Sequence, residues 1–383
     1  MALKIFIAAT GQNSGKTTTS LSLMHLASKK FERIGFIKPL GPKPIVFRGI
    51  DIDKDPALMA ELFGLEKHLQ LMCPVVVKPG DTRRALNGEL PVEQLSEKVL
   101  ESCAALEKEC DFIIVEGSGH PGVGSVLGLS NARIARLLDA PVLMVTGGGI
   151  GNVVDSVHLN LALFEKEQAE VRAILVNKII PEKREATLSY LQRAFTGQPF
   201  EIIGGFNYQP VLANPTLRRV AKLLDFPLHG NQAAASRIVH HIHIGAASTQ
   251  RVVEALQDST LLVVTSSRDE LLVTMANLYQ IPEYREKIVA LVIPGVAPIT
   301  KVTQQILDTS NIPYIRTTGY HTTDIYQALL DDVSKTTAED TEKIDLVRQM
   351  AENRLDFEKI TELFSRPSNG EARKAVDSKT NLR

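Results

Sequence analysis

The residues with the clearest chemistry form a glycine-rich stretch near the amino terminus of this 383-residue chain. The stretch reads Thr10-Gly11-Gln12-Asn13-Ser14-Gly15-Lys16-Thr17-Thr18 and lies between an apolar run and a helical pattern. In that context backbone N–H groups bind phosphate, the lysine reaches the β- and γ-phosphates, and the first threonine ligates Mg²⁺. Thr10 stands where the usual loop has its first glycine, so Gly11 is expected to make the tight turn. A turn that only caps its helix is the alternative.

Two carboxylates are candidates to complete a Mg²⁺ site with Thr17. Glu116 ends the apolar run 112–115, and Asp55 precedes a proline where a helix is expected to begin. Mg²⁺ is a hard cation that prefers oxygen ligands of this kind. The alternative interpretations are a solvated turn for Glu116 and a helix N-cap for Asp55, with Asp53 as the reserve ligand.

Several polar or glycine-rich positions follow runs that are typical of buried strands. They are the loop 10–18, Lys38, Glu116, the glycines 147–149 and Asn177. Open parallel sheets bind ligands beyond the carboxyl ends of their strands. We therefore expect these positions to meet at one edge of a sheet, where they would form a single ligand site.

The segment that begins at Asn177 bears on the choice of base. Asn177-Lys178-Ile179-Ile180 has the spacing of the N-K-x-D motif that recognises guanine. Ile180 replaces the carboxylate that would accept guanine's N–H groups, so guanine gains no clear advantage. We predict ATP as the nucleotide.

The elements that must position these residues alternate between strand and helix. Apolar runs without polar alternation indicate strands that are buried on both faces, and their alternation with helical patterns predicts an α/β fold with a doubly wound, mostly parallel sheet. In the first half the predicted strands are 3–8, 34–39, 112–115, 141–146 and 171–177, and the predicted helices are 16–28, 91–109, 131–138, 152–165 and 183–194. In the second half the predicted strands are 238–244, 260–264, 288–294 and 312–316, and the predicted helices are 249–257, 269–279, 299–310 and 323–331.

These patterns divide the chain into three parts. Residues 1–212 are predicted to form a nucleotide-binding domain, and residues 216–335 a smaller α/β domain, with a linker around 206–215. Residues 336–383 are predicted to be a helical extension, with one helix over 343–364 and a disordered tail over 366–383, which has almost no large apolar residues.

Composition excludes several classes of protein. Lys and Arg number 43 against 44 Asp and Glu, so the net charge of −1 provides no broad field for nucleic acid or an anionic membrane. No segment fits a signal peptide or a membrane-spanning helix. The chain has three cysteines without a C-x-x-C pair, which disfavours a disulfide framework and fits a reducing cytoplasm. His240, His241 and His243 lack an apparent third zinc ligand nearby, so an edge or exposed strand is favoured there.

Four segments resemble the dethiobiotin synthetase-like P-loop family, and in particular the N-terminal region of long bacterial phosphate acetyltransferases. They are residues 9–18, Gly35-Phe36-Ile37-Lys38-Pro39, Asp53-Lys54-Asp55 and Val115-Glu116-Gly117. The resemblance implies that Lys38 lies near the phosphates as a second catalytic lysine beside Lys16. It also implies that Thr17, Asp55 and Glu116 bind Mg²⁺, and that Asn177 contacts adenine.

The second half resembles a DRTGG domain. The matching segments are 236–239, 244–246, 264–270, 291–295, 312–314 and Tyr320. Ser266 and Ser267 stand where a Gly-Asp pair is expected, and in the first domain Pro42 stands where dethiobiotin synthetases have a serine of the substrate pocket.

Three functions are compatible with this sequence. The leading hypothesis is an ATP- and Mg²⁺-binding regulatory protein with weak or conditional ATPase activity, which forms homo-oligomers and responds to a small-molecule ligand or a protein partner. The second is an ATP-dependent ligase of the dethiobiotin synthetase or cobyrinic acid diamide synthase type, in which a carboxylate or carbamate attacks the γ-phosphate. The third is a scaffold with a vestigial site, which the intact Gly15-Lys16-Thr17 argues against.

Overall fold

The computed structural model describes residues 2–331 and 336–367, and it confirms the predicted α/β fold. The chain forms two compact units. The first contains Met1–Tyr208 together with the residues from Asp345 onward, and the second contains Gln209–Ile344. Within the described ranges, no helix is long and apolar enough to cross a membrane.

The first unit is built on a six-stranded parallel sheet with the order β10-β9-β8-β1-β7-β2. Strands such as Val171–Asn177 are buried along their whole length, which explains their continuous apolar runs. The strands are β1 Leu3–Ala9, β2 Ile34–Ile37, β3 Leu40–Gly41, β4 Pro44–Phe47, β5 Ile50–Asp53, β6 Val75–Val76, β7 Phe112–Glu116, β8 Val142–Gly147, β9 Val171–Asn177 and β10 Glu201–Gly204. The helices are α1 Lys16–Lys30, α2 Lys54–Phe63, α3 Leu69–Met72, α4 Asp81–Leu86, α5 Val92–Glu109, α6 Asn131–Leu137, α7 Ile150–Lys166 and α8 Arg184–Ala194.

The order of the strands reverses beside β1. From β1 the chain passes to β2 and β7 on one side, and then to β8, β9 and β10 on the other. The switch point therefore lies between β1 and β8, where a doubly wound sheet opens a crevice at its carboxyl edge. The glycine-rich loop follows β1 and lies at this crevice.

A β-hairpin that the sequence analysis did not predict positions two acidic residues. It pairs β4 with β5 through the turn Arg48-Gly49, and both turn residues have positive φ. Its second strand ends at Asp53, and α2 begins at the next residue. Each hairpin strand has only four residues, and the first begins with a proline, so neither stands out from the sequence as a strand.

The second unit has its own five-stranded sheet with the order β11-β15-β14-β13-β12. Strands β12–β15 are parallel and the edge strand β11 is antiparallel, with an apolar core on each face. The strands are β11 Leu228–His229, β12 His241–Ile244, β13 Thr260–Val263, β14 Ile288–Gly295 and β15 Tyr314–Thr318. The helices are α9 Leu217–Leu224, α10 Thr249–Glu254, α11 Asp269–Leu278, α12 Pro282–Lys287, α13 Lys301–Ser310 and α14 Thr322–Asp331.

The carboxyl-terminal region differs from the predicted extension. Instead of one helix over 343–364 there are two, α15 Thr341–Arg354 and α16 Phe357–Ser365. The break occurs because the side chain of Asp356 caps α16 by accepting the backbone N–H of Lys359, 2.9 Å away. The division between the units falls within α15, beyond the predicted boundary at 335. Of the tail predicted to be disordered, residues 368–383 lie outside the described residues.

Helix α16 covers the amino edge of the first sheet, opposite the glycine-rich loop. The ring of Phe357 packs edge-on against Phe112, the first residue of β7, with centroids 5.8 Å apart. The buried guanidinium of Arg172, near the start of β9, donates to the carbonyls of Leu363 and Phe364 at the carboxyl end of α16. A chain that ended near residue 213 would therefore expose part of the core of the first unit.

We predict that Ile360→Ala destabilises the first unit. Ile360 is 1% exposed within α16, and removing a buried aliphatic side chain typically costs about 2–5 kcal/mol of unfolding free energy. Hydrogen exchange of the β1 and β7 amides in urea should show this loss, whereas the exposed Glu362→Ala in the same helix should change it little. Equal protection in both variants would mean that α16 only rests on the surface.

Candidate functional site

The glycine-rich loop takes up a conformation that only glycine allows at Gly15. Gly15 has φ +99°, in the left-handed region, and it precedes the first residue of α1. A Cβ atom placed on it would lie 2.1 Å from Nδ2 of Asn177. Gly15 provides no side-chain cap for α1, a 15-residue helix that lies wholly in the described part of the chain. The helix thus presents backbone N–H groups at the carboxyl edge of the sheet.

Lys16 reaches across this edge to the segment that follows β7. Its ammonium donates to the carbonyl of Gly119 over 2.8 Å. Asn131, at the start of α6, fixes that segment: its amide donates to the carbonyls of Ser118 and His120 and accepts the backbone N–H of Ser118. Asn131 could not be identified from the sequence, because it lies outside the glycine-rich and strand-end motifs and its role depends on a contact between distant segments.

Glu116 is buried beside Thr17, as the sequence predicts for two ligands of one ion. Glu116 is the last residue of β7, and its Oε1 accepts a hydrogen bond from the hydroxyl of Thr17 at 3.3 Å. Its other oxygen, Oε2, is buried and has no hydrogen-bond partner among the described residues. Burial, and then the neighbouring charge of Asp55, raise the pKa of Glu116 from its ordinary 4.5 to about 7, although Lys38 opposes the shift. Glu116 is therefore not the solvated turn residue of the alternative interpretation.

Lys38 lies in a buried ion-pair cluster with two aspartates. Lys38 is only 4% exposed, and its ammonium donates to Oδ1 of Asp53 at 2.9 Å and to Oδ2 of Asp55. Burial alone lowers the pKa of a lysine, but the charges of Asp55, Glu116 and Asp53 prevail and hold the pKa of Lys38 well above its usual range. The ammonium is the positive centre of this cluster.

The two aspartates have different roles. Asp53 caps α2: its Oδ1 accepts the backbone N–H of Asp55 at 3.1 Å, and its Oδ2 accepts the backbone N–H of Lys43 at 2.9 Å. The cap considered for Asp55 thus belongs to Asp53, and Asp55 lies in the first turn of the helix. Because both carboxylate oxygens of Asp53 accept hydrogen bonds from backbone N–H groups, Asp55 is the better placed of the two aspartates to contact an ion.

Asn177 ends β9 and holds the glycine-rich loop from behind. Its amide nitrogen donates to the carbonyl of Ser14 at 3.0 Å, and its oxygen accepts the backbone N–H of Lys178 at 2.9 Å. The side chain is thus a support for the loop. Contact with adenine, which the family resemblance implies, stays a prediction.

The remaining strand-end residues lie at the same edge. The hydroxyl of Thr10 donates to that of Thr146 near the end of β8, at 3.1 Å, and the glycines 147–149 lead from β8 into α7. The carbonyl of Thr10 accepts the amide of Asn160 in α7 at 3.3 Å. The structure therefore brings together the glycine-rich loop, Lys38, Glu116, the glycine segment and Asn177.

The other candidate residues do not form a reactive site. His241 and His243 lie on the edge strand β12 with ring centroids 6.1 Å apart. In residues 2–331 and 336–367, no group of three or more His, Cys, Asp or Glu side chains is arranged to hold a metal ion. A Mg²⁺ site does not need such a group, because this ion uses one or two carboxylates with water and substrate phosphates. Burial raises the pKa of Cys73 to about 12 and that of Cys103 to about 11, so neither thiol is a reactive nucleophile.

We predict that Glu116→Gln changes how stability depends on pH. The folded protein binds the proton of Glu116 more tightly than the unfolded chain does, because the pKa is about 7 rather than 4.5. The contribution of Glu116 to the free energy of unfolding should therefore fall as pH rises between these values and stay lower above them. Glutamine cannot titrate, so at pH 8 the variant should be more stable than the wild type by on the order of 1–3 kcal/mol.

Urea unfolding of the first unit at pH 5 and pH 8 measures this difference. Glu93→Gln, at an exposed position in the first turn of α5, is the control and should follow the wild type at both values. A Glu116→Gln protein with the full pH dependence of the wild type would assign that dependence to other groups.

Several curated proteins are similar to this chain. The phosphate acetyltransferase of Synechocystis sp. is 23% identical over 270 residues, which cover 69% of this chain and 38% of that protein. The phosphate acetyltransferase of Nitratidesulfovibrio vulgaris is 21% identical over 378 residues, 96% of this chain and 53% of that protein. The cobyric acid synthase of Pelotomaculum thermopropionicum is 28% identical over 244 residues, 56% of this chain and 45% of that protein. The chain thus spans about half or less of the length of these relatives.

Among solved structures, the MinC:MinD cell division protein complex of Aquifex aeolicus overlaps this chain with a TM-score of 0.34 and 16% identity. The overlap covers 55% of this chain and 84% of that chain.

A protein-family model described as an AAA domain matches residues 3–216, which is more than half of the chain. The match includes the glycine-rich loop, Lys38, Asp55, Glu116 and Asn177. It stops near the start of the second unit, so the DRTGG assignment of that unit stays a prediction. The chain belongs to this AAA domain family, with a P-loop domain of the dethiobiotin synthetase-like type.

Proposed function

We propose that this chain binds ATP together with Mg²⁺ and is a regulatory protein with weak or conditional ATPase activity. One observation carries the proposal. A buried carboxylate with an unpartnered oxygen, Glu116, lies against the first threonine of a P-loop, beside a lysine that is already extended across the loop. Burying such an oxygen is costly unless it gains a partner.

The loop residues would bind the phosphates by exchanging partners. The backbone N–H groups at the start of α1 would donate to the phosphate oxygens. Lys16 would leave the carbonyl of Gly119 for the β- and γ-phosphates, which form a stronger, charge-assisted hydrogen bond with an ammonium than a carbonyl does. Asn131 would continue to hold Ser118 and His120, on either side of Gly119.

The residues present fit Mg²⁺. The orphaned oxygen of Glu116, the hydroxyl of Thr17 and the carboxylate of Asp55 are hard oxygen donors, and they would hold the ion with water and phosphate oxygens. When bound, Mg²⁺ supplies charge neutralisation to the β- and γ-phosphates. Thr17 and Glu116 would keep their contact as the ion is bound, while Asp55 is shared with Lys38.

The choice of ATP rests on Ile180. Its side chain is half exposed beyond β9 and offers no carboxylate to a base. Competition between ATP and GTP in a fluorescent-nucleotide displacement assay tests this choice. We expect ATP to bind at least as well as GTP, and a clear preference for GTP would overturn the assignment of adenine.

The regulatory role rests on the second unit. In its described residues no set of His, Cys, Asp or Glu side chains forms a metal group, and Arg268 donates to the carbonyls of Gly245 and Ala247. Such a unit would act through binding energy, by taking a small-molecule ligand or a protein partner or by forming a homo-oligomer. Any coupling to the nucleotide site would be reciprocal and typically about 1–3 kcal/mol. We also propose that the protein is cytoplasmic and binds neither nucleic acid nor membranes.

An ATP-dependent ligase is the second candidate, favoured by the cobyric acid synthase among the relatives. In that reaction an acceptor carboxylate attacks the γ-phosphorus, the bond to the β-phosphate oxygen breaks, and ADP leaves. The acyl phosphate then reacts with a nucleophile and releases phosphate. ADP release in the presence of small carboxylates, diamines or acetyl phosphate separates the candidates. Faster ADP release with one compound favours the ligase. The same rate of ADP release with every compound, together with nucleotide-dependent assembly or partner binding, favours the regulator.

We predict that Lys16→Ala lowers ATP affinity roughly tenfold or more, because a lost charge-assisted hydrogen bond typically costs about 1.5–3 kcal/mol. Calorimetric titration with ATP and Mg²⁺ measures the change. Lys29→Ala, which removes an exposed charge from the other end of α1, is the control and should bind ATP as the wild type does. Unchanged affinity in Lys16→Ala would refute the nucleotide site.

A further inference from the structure

We propose that the ammonium of Lys38 and the divalent cation compete for the same carboxylates, so that cation binding releases Lys38 toward the phosphates. This inference rests on the proposed function and adds a device to the same site. Lys38 would then be held in an inactive position until the metal binds. The lysine and the metal would act one after the other on the same acidic residues.

The contacts of Lys38 involve the same carboxylates that would bind the metal. Its ammonium is bound by Asp53 and Asp55, and it is also attracted by Glu116. Two of these three carboxylates, Asp55 and Glu116, are the ones that fit Mg²⁺ together with Thr17. The lysine therefore occupies part of the acidic environment that the metal needs.

Electrostatics carries the second step. Lys38, Asp53, Asp55 and Glu116 are all almost completely removed from water. Two like charges a few ångströms apart repel strongly in such surroundings, because the effective dielectric constant is far below that of water. A divalent cation beside Asp55 and Glu116 would therefore weaken the hold of the cluster on the ammonium.

The structure also shows which contact would break. Asp53 is fixed by the backbone N–H groups of Lys43 and Asp55, so it stays in place. Asp55 would turn from the ammonium to the cation. The backbone of Lys38 is held by the carbonyl of Met72 at 2.8 Å, but its four-carbon side chain is flexible. The ammonium can thus move without a change in the strand.

This competition would make phosphate chemistry conditional on the metal. While Lys38 is paired with Asp53 and Asp55, its charge is neutralised by these two carboxylates. After the exchange, the same charge would be available to the phosphate that is being transferred. One event would then supply both a metal and a second lysine.

The first experiment measures binding of Mn²⁺ alone, by electron paramagnetic resonance, without nucleotide. Mn²⁺ takes the same oxygen ligands as Mg²⁺. Lys38→Met removes the competing charge and should bind Mn²⁺ roughly tenfold or more tightly than the wild type, which is the change expected for removing one nearby like charge. Lys67→Met, which removes an exposed lysine charge outside the cluster, is the matched control and should bind as the wild type does.

The second experiment uses the wild-type protein, so it does not depend on the folding of Lys38→Met. In protein labelled with ¹⁵N-lysine, the buried and hydrogen-bonded ammonium of Lys38 should give a slowly exchanging resonance, which its absence in Lys38→Arg assigns. Addition of Mg²⁺ with a non-hydrolysable ATP analogue should shift this resonance or speed its exchange. An unchanged resonance in protein that binds the analogue, or a Lys38→Met variant that folds and gains no Mn²⁺ affinity, overturns the inference.

The competition and the proposed function can be wrong independently of each other. If the wild type binds ATP and Mg²⁺ while the Lys38 resonance stays unchanged, competition is wrong and the proposed function stands. If Lys38→Met gains Mn²⁺ affinity while the wild type binds no nucleotide, the competition is correct and the proposed function is wrong.

Discussion

The carboxyl edge of the first sheet depends on the balance of charge around Lys38. The carboxylates of Asp53, Asp55 and Glu116 are almost completely buried, each at or near the end of a different element. The ammonium of Lys38 lies among them and binds the two aspartates. Removing one partner from a buried ion pair is far more damaging than removing an exposed one, since it leaves an unpaired charge. The cluster therefore constrains where β2, the hairpin and α2 can lie, and it draws Glu116 and the P-loop helix into the same small volume.

Much of this arrangement could be predicted from the sequence, because the largest signals are local. Continuous apolar runs give the buried strands, and Gly15-Lys16-Thr17 between a strand and a helix gives the phosphate loop. Parallel strands have their carboxyl ends at the same edge of a sheet. With that rule, the two signals correctly predict that Lys38, Glu116 and Asn177 lie at one edge. The placement of β9 over 171–177 agrees with the structure to the residue, since all of its side chains are buried.

The parts that escaped prediction depend on contacts between distant segments. Sequence alone could not separate Asp53 from Asp55, because each precedes or begins a helix, and only the hairpin shows that Asp53 holds two backbone N–H groups. Asn131 gave no signal, since its partners lie 11 and 13 positions away. The single helix predicted over 343–364 was wrong because the capping tendency of Asp356 outweighs the helical pattern around it.

Helix α1 connects the phosphate site with the carboxyl-terminal helices. Its first turn carries Lys16 and Thr17, and its last turn carries Lys29 and Lys30, whose positive charges suit the carboxyl end of a helix. Lys30 binds Glu358 and the hydroxyl of Thr361 in α16, and His25 and Lys29 both contact Glu352 in α15. Each of these surface ion pairs contributes little to stability. The packing of α16 on the sheet must therefore hold α15 and α16 in place, and the ion pairs must set their position along α1. A helix that is fixed at its far end presents its first N–H groups in a constant position, and that constancy is what a phosphate-binding loop requires.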